Sequence, residues 1–482
     1  MCQACFQPAP ATGQLHSCLC GAPETLAAMR RIEADISRRQ MLGGMAAVVG
    51  MFAGFGLAPR ELRAQTPGRP TLLTNLRLFD GETLSLRDGV DILVQGGRIA
   101  ALPAKGQGPQ DADVIDCGGR TVIPGLIDAH WHATLAGVSQ IAAMTQDIGF
   151  VHLMAGREAG ATLQRGFTTI RDVGGPAFGL KAAIDRGVVE GPRVFPSGAM
   201  VSQTSGHGDF RFAHDLPMMP SDPADYATRA GMTAIADGRA EVLRRTREQL
   251  MKGASQIKIM AGGGVASQFD PIDSTQYTED EMRASVEAAA DWNTYVCAHV
   301  YTSKGIQRCI RAGVKSIEHG QLADEDTVRM MADTGTWWSI QPFLADEDAN
   351  QYTDPKAVAA QKMVAEGTVR AFDLAQKHKV NWAFGTDILY AGADKQARHL
   401  TKLARYMTPL EALHRATGAA GQLLALSGPR STYDGPLGVL REGAFADLLV
   451  VDGDAEKGLD WLTDANNLRL IMKDGRIHKT TL

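Results

Sequence analysis

The middle of the chain alternates short apolar runs with helical stretches, and this alternation constrains the fold more than any other feature. The runs are GLIDAHWH, TTIRDVGG, RVFPSGAMVS, QIKIMAGGG, TYVCAHVY, VKSIEHG, TWWSIQPF and VNWAFGTD. Eight such strands are about the number a (β/α)8 barrel requires. Helix starts are legible between them. Thr278 with Glu281 forms a capping box opening EDEMRASVEAAADW, and Thr408 with Glu411 does the same for LEALHRATGAAGQLLAL, with Pro409 at the first helical position.

The two flanks read differently. TLLTNLRLFDG, DILVQGGRIAAL and DADVIDCGGRTVIPG show period-2 alternation bounded by Gly and Asp, which argues for hairpins. GVLREGAFADLLVVDGD and NLRLIMKDGRIHKT repeat that character near the end. The economical expectation is one small β-sandwich built from both terminal segments. The division is then 1–64 as a leader, 65–123 as the first part of the sandwich, 124–426 as the barrel and 427–482 as the second part.

The leader carries Arg38 and Arg39 ahead of an uncharged, Gly/Ala-rich run from Met41 to Ala58. That pattern reads as a twin-arginine export signal, with cleavage after Ala64 and a periplasmic or secreted product that keeps no stable membrane association. The run is marginal in length for a span, and its glycines weaken it as one. Cys2, Cys5, Cys18 and Cys20 precede the signal with His16 among them, and are read as part of an unstructured leader. Cys117, Cys297 and Cys309 are scattered core residues, so no disulfide framework is implied. With 44% hydrophobic and 21% charged residues a packed core is expected. The net charge of −5 and the lack of a basic stripe exclude nucleic acid as a partner.

Metal-competent side chains recur toward the C-terminal ends of the strands. His130 and His132 end the first, Lys258 sits in the fourth, His299 lies near the end of the fifth, His319 ends the sixth and Asp387 ends the eighth. In a barrel those ends converge on the active site. Strand period lets His130 and His132 point one way and Trp131 the other, toward packing. Each residue alone is unremarkable chemistry: a satisfied histidine, a snorkelling lysine, a helix-capping aspartate. Their joint occurrence at successive strand ends points to a metal site.

VIPGLIDAHWH and REGAFADLLVVDGD resemble the first-strand motif and the returning β segment of the amidohydrolase superfamily of metal-dependent hydrolases. VSQTSGHGD and IKIMAGGGVAS are similar to its Xaa-Pro and Xaa-Arg dipeptidase group, which includes ochratoxin-hydrolysing enzymes. The resemblance implies two divalent metal ions, zinc above all. His130, His132 and Asp387 would hold the more buried ion, and His299 and His319 the other. Lys258 would bridge both as N6-carboxylysine. It also implies attack on an amide by a metal-bridging hydroxide, with Asp387 as proton shuttle, and assembly into a homo-oligomer.

The substrate would be a small molecule: a dipeptide, an N-acyl amino acid or an ochratoxin-like conjugate. The alternative is a cyclic amide, as in imidazolonepropionase-like relatives. His207 in SGHGD and Tyr301, on the face of His299, are the candidate catalytic and substrate-binding contacts. Arg211 and His214 in the same loop as His207 read as solvated, and Asp172 as an ordering group.

Overall fold

The described residues open with strands β1 (Thr71–Leu78), β2 (Ile92–Gln95), β3 (Arg98–Ala101) and β4 (Asp113–Pro124). The central strands follow: β5 (Leu126–Trp131), β6 (Phe167–Asp172), β7 (Arg193–Pro196), β8 (Met200–Ser202), β9 (Thr233–Ile235), β10 (Ile257–Met260), β11 (Val296–Thr302), β12 (Ser316–Leu322), β13 (Trp337–Ile340) and β14 (Trp382–Phe384). β15 (Leu448–Val451), β16 (Leu468–Lys473) and β17 (Arg476–Thr480) close it. This computed structural model describes residues 69–219, 222–265, 267 and 269–482. The export signal and the four N-terminal cysteines lie outside the described residues. Among the described residues no helix is long and apolar enough to cross a membrane.

Both terminal segments share one sheet, as their common pattern implied. Its order is β17-β16-β15-β4-β1-β2-β3, and the two segments meet where β4 pairs antiparallel with β15, Val122 opposite Val450. The ladder is a single mixed sheet of seven strands. Its alternating apolar residues, Leu73, Ile92, Val94, Val122, Leu448, Val450 and Leu470 among them, form a core of their own.

The central strands are all parallel and almost wholly buried, which is why they read as continuous apolar runs and not as alternation. They form two ladders, β5-β6-β7 and β14-β13-β12-β11-β10-β8-β9. Hydrogen bonds join the two ladders at two places. The Asp387 N–H donates to the His130 carbonyl at 2.8 Å, just beyond β14 and β5, and the Ser255 N–H donates to the Pro196 carbonyl at 2.8 Å, between β10 and β7. Helices cover the outside, and both capping boxes form: Thr278 caps Glu279–Asp291 and Thr408 caps Pro409–Arg415.

Two expectations need correction. RVFPSGAMVS is two strands, broken at Gly198 (φ +75), where an added Cβ would lie 2.5 Å from Gln249 Oε1 and 2.7 Å from the Phe178 ring. The break lets β7 pair with β6 while β8 joins β10 and the unforeseen β9. The helix begun at Thr408 is also two, Pro409–Arg415 and Gly418–Ala425. Thr417 leaves the helical region (φ −137, ψ −102). The carbonyl of Ala416 accepts the Ile127 N–H of β5 at 2.7 Å, so the packing against the sheet takes a bond the helix would have used.

Candidate metal centre

His130 lies on β5 and His132 one residue beyond it; Lys258, His299 and His319 lie on β10, β11 and β12, and Asp387 follows β14 by three residues. Trp131, between the two histidines, faces the other way into a cluster with Ala155, Ala159 and Ile170. Asp387 is the hub. Its Oδ1 sits 3.1 Å from His130 Nε2 and 3.1 Å from His132 Nε2, and its Oδ2 sits 3.9 Å from His319 Nδ1. His130, His319 and Asp387 offer ligand atoms that all lie within 4.8 Å of one another. The His299 ring meets that of His319 edge-on at 4.5 Å.

Hydrogen bonds fix which imidazole nitrogens carry lone pairs. His132 Nδ1 donates to the Gly174 carbonyl at 2.9 Å, and His130 Nδ1 donates to Glu318 Oε2 at 2.8 Å. The Nε2 atoms of both rings then point at the carboxylate of Asp387. His130 Nε2 and His319 Nδ1 are buried without a hydrogen-bond partner. Buried imidazole nitrogens without a partner, converging with a carboxylate, are donor atoms that a cation can take up. The donor set therefore fits a divalent metal ion, with imidazole and carboxylate suited to zinc.

Burial, with the neighbouring cationic groups, holds His319 and His299 well below the ordinary imidazole range and so neutral. Burial pushes Asp387 up, but the histidines around it outweigh this and hold it well below the usual carboxylate range. His132 is raised: burial pushes it down, and the hydrogen bond and charge of Asp387 more than offset this.

Lys258 is 1% exposed, and its amine has no hydrogen bond or ion pair among the described residues. Burial lowers its pKa, against the opposing pull of Glu318, Cys297 and Asp387. A buried lysine without a partner is costly, and a lowered pKa favours the free amine, the form that reacts with CO2.

Sequence reasoning missed the groups that orient these ligands. Glu318 is fully buried and takes both oxygens' worth of the Arg171 guanidinium at 2.7 Å, the Ser316 hydroxyl at 2.6 Å and His130 Nδ1. Arg171 and His130 overcome the effect of burial and hold Glu318 well below its usual range. Strand period assigns the neighbours Glu318 and His319 to opposite faces. At His319 φ is +75, which breaks the period and lets both contact His130. Asp128 ties β5 to the segment bearing Asp387: it accepts from the backbone N–H groups of His130 (3.1 Å) and Thr386 (3.0 Å), the Thr386 hydroxyl (2.7 Å) and Gln396 (3.0 Å). Asp172, read from the sequence as an ordering group, orders the turn after β5 by accepting from the Ala133 N–H at 2.7 Å, and burial pushes it up to about 7.

Both candidate substrate contacts lie beside the centre. The His207 ring stacks flat on His299 at 4.0 Å. Tyr301 stacks on His319 at 5.1 Å, and its hydroxyl has no hydrogen-bond partner among the described residues. Phe343 lies against His319 at 6.0 Å, an aromatic wall not foreseen from sequence. Arg211 is committed to Asp209 within its loop, and His214 is exposed. Neither joins the centre.

The chain belongs to the amidohydrolase family, whose sequence model matches residues 121–479. It is 33% identical over 326 residues to the ochratoxinase of Aspergillus niger, a match spanning 66% of each chain, just under two thirds of that relative's length. Among solved structures it is similar to a prolidase complexed with N-methylphosphonate-L-proline, at 34% identity and a TM-score of 0.78 over 86% of this chain and all of that one. It is also similar to a Xaa-Pro dipeptidase with methionine bound in its active site, at 29% identity and a TM-score of 0.72 over 85% of this chain and all of that one. Membership makes the chain a metal-dependent hydrolase of a family acting on small amide or dipeptide substrates.

Proposed function

We propose that this member of the amidohydrolase family is a binuclear enzyme. It hydrolyses the amide bond of a dipeptide, an N-acyl amino acid or an ochratoxin-like conjugate. The observation that carries the reading is Lys258, a buried lysine whose amine has no partner among the described residues, beside a cluster of imidazoles and one carboxylate. His130, His132 and Asp387 would hold one ion, His299 and His319 the second, and carboxylated Lys258 would bridge them. Divalent ions held there, most simply zinc, would make water nucleophilic at neutral pH and polarise the scissile carbonyl.

The chain's own groups do the rest. Asp387 is ionised and faces the centre, so it takes the proton of the attacking water and passes it to the leaving nitrogen. Glu318 and the Gly174 carbonyl keep His130 and His132 in the tautomer with a free Nε2. His207 and Tyr301 hydrogen-bond substrate oxygens from the side of His299 and His319. The N-methylphosphonate-L-proline of the similar prolidase supports linear over cyclic amides.

The same reading takes β5, β6, β7, β10, β11, β12, β13 and β14 as a (β/α)8 barrel spanning 124–426. The hydrogen bonds near His130 and Pro196 that link the two ladders support closure. The terminal sheet, 65–123 with 427–482, is then a small sandwich around its own core. The leader 1–64 is a twin-arginine signal that delivers a folded, metal-loaded homo-oligomer to the periplasm or the medium.

The test is a hydrolysis screen of the purified protein with metals controlled, over dipeptides, N-acyl amino acids, ochratoxin A and a cyclic imidazolone. Release of a free amino acid from a linear amide, with about two divalent ions per chain, is the expected result. Turnover of the cyclic substrate alone overturns the substrate reading. Failure to bind divalent metal, with no activity on adding it, overturns the mechanism.

A further inference from the structure

His207 stands on the loop after β8, between residues 203 and 209, and a second loop after β10, 261 to 276, is fastened to it. The Ser205 hydroxyl donates to the Phe269 carbonyl at 2.9 Å, the His207 N–H donates to Gln276 Oε1 at 2.9 Å, and the Tyr277 N–H donates to Gln203 Oε1 at 2.5 Å. The second loop also brings Asp270, which is 6% exposed, to the His207 ring: Asp270 Oδ2 lies 2.8 Å from Nδ1. Ser267 Oγ lies 3.0 Å from the same nitrogen, and the Gly264 N–H donates to the same Asp270 oxygen at 3.1 Å. The glycine run makes this approach possible, since a Cβ at Gly263 would lie 2.6 Å from the Asp270 carbonyl oxygen.

The opposite edge of the ring is different. His207 Nε2 has no hydrogen bond among the described residues, while the ring lies flat on His299 with planes 9° apart. One edge is thus fully held by protein, and the other is open beside the candidate metal ligand.

We propose that Asp270 is the positioning residue for His207: it holds the Nδ1 edge so that Nε2 is the edge presented to an oxygen of the substrate. The role rests on the hydrolase reading above, because it is the substrate that Nε2 would contact. Asp270 has no path of its own to the reacting atoms. It acts through the ring, as a carboxylate on the far nitrogen fixes an imidazole's tautomer and orientation.

The experiment is a double-mutant cycle of Asp270→Ala with His207→Asn, read by kcat and KM on the dipeptide turned over fastest in the screen, and by metal content. Alongside it, the ring nitrogens of His207 are observed by NMR in the histidine-labelled protein. Asp270→Ala is expected to lower kcat/KM about 10- to 100-fold, to leave metal content unchanged, and to cost nothing further once His207 is Asn. Asp270→Asn, which keeps an acceptor, is expected to recover part of the loss. NMR is expected to show the Nδ1–H form in the wild type and its loss in Asp270→Ala. Effects that multiply in the double mutant, or an unchanged His207 signal in Asp270→Ala, overturn the proposal and leave Asp270 a loop staple. If the wild type hydrolyses nothing, the hydrolase reading fails, and the NMR arm alone still decides whether Asp270 sets the ring.

Discussion

Glu318→Gln separates what holds the interior of the central strands together from what orients the candidate metal ligands. Glu318 and Arg171 are both fully buried and bonded through both carboxylate oxygens at 2.7 Å. Breaking a buried pair by removing one charge costs about 3–5 kcal/mol, because the other is left uncompensated. The carboxamide also places an N–H₂ against a donor, either Arg171 or His130 Nδ1, since both now donate to the carboxylate. If the loss falls on His130, the ring is freed and metal affinity should fall about 10- to 100-fold, or about 1.4–2.7 kcal/mol.

The two terms come apart in a second variant. Arg171→Met with Glu318→Leu removes the pair as a unit, and replacing such pairs with apolar residues is often near neutral for stability. It also removes the partner of His130 Nδ1. Apo-protein stability by denaturant unfolding should therefore fall in Glu318→Gln and recover in the double variant. Zinc affinity by competition with a chelating dye should stay weak in both. Wild-type zinc affinity in Glu318→Gln, measured on folded protein, would refute the claim that this carboxylate sets the His130 ligand.

Three further outcomes can be measured on the same preparations. Lys258→Ala should lose the bridge between the ions and nearly all turnover, with partial rescue by short carboxylic acids; unchanged activity would remove the carbamate from the site. Gly385→Ala should lose metal binding while keeping its helical signal, because the added Cβ would lie 2.5 Å from the His130 Cβ and 2.8 Å from its backbone nitrogen. Burial, and then the Lys402 ammonium, push His399 down to about 4 from its ordinary 6.5. The unfolded chain then binds a proton in that window which the fold refuses, so stability is full above the unfolded pKa and falls as pH drops toward 4. His399→Leu should flatten that fall by about 2–3 kcal/mol in denaturant melts at neutral and acid pH.

The residues of the candidate centre were legible in the sequence because their types are rare at strand ends and their order along the chain could be counted. His130, His132, His299, His319 and Asp387 meet around one centre, and the alternation that placed Trp131 in the packing holds. What the sequence did not carry is held by contacts distant in the chain. Glu318 meets Arg171 across 147 residues, and Asp128 meets Thr386 across 258. Nothing local marks either carboxylate as different from one that faces solvent. The broken third strand and the divided helix were hidden for the same reason. Each break serves a partner elsewhere: the neighbours of Gly198 in one case, the N–H of Ile127 in the other.

The backbone at the centre explains why those distant contacts are needed. His319 has φ +75 and Asp387 φ +53, in the left-handed region that costs an L-residue on the order of 1 kcal/mol or more. Neither would adopt it unaided. His319 is held there by its own carbonyl, which accepts the indole N–H of buried Trp338 at 2.5 Å. Asp387 is held from both sides. Its N–H is bonded to the His130 carbonyl, and the Thr386 before it is bonded twice to Asp128. The ligand atoms converge because the fold forces two residues out of their preferred conformations and keeps them there. A centre set this way is formed before any ion arrives, so the apo-protein should bind zinc without a change in its far-UV circular dichroism. A large rise in helical or strand signal on adding zinc would show instead that the metal builds the site.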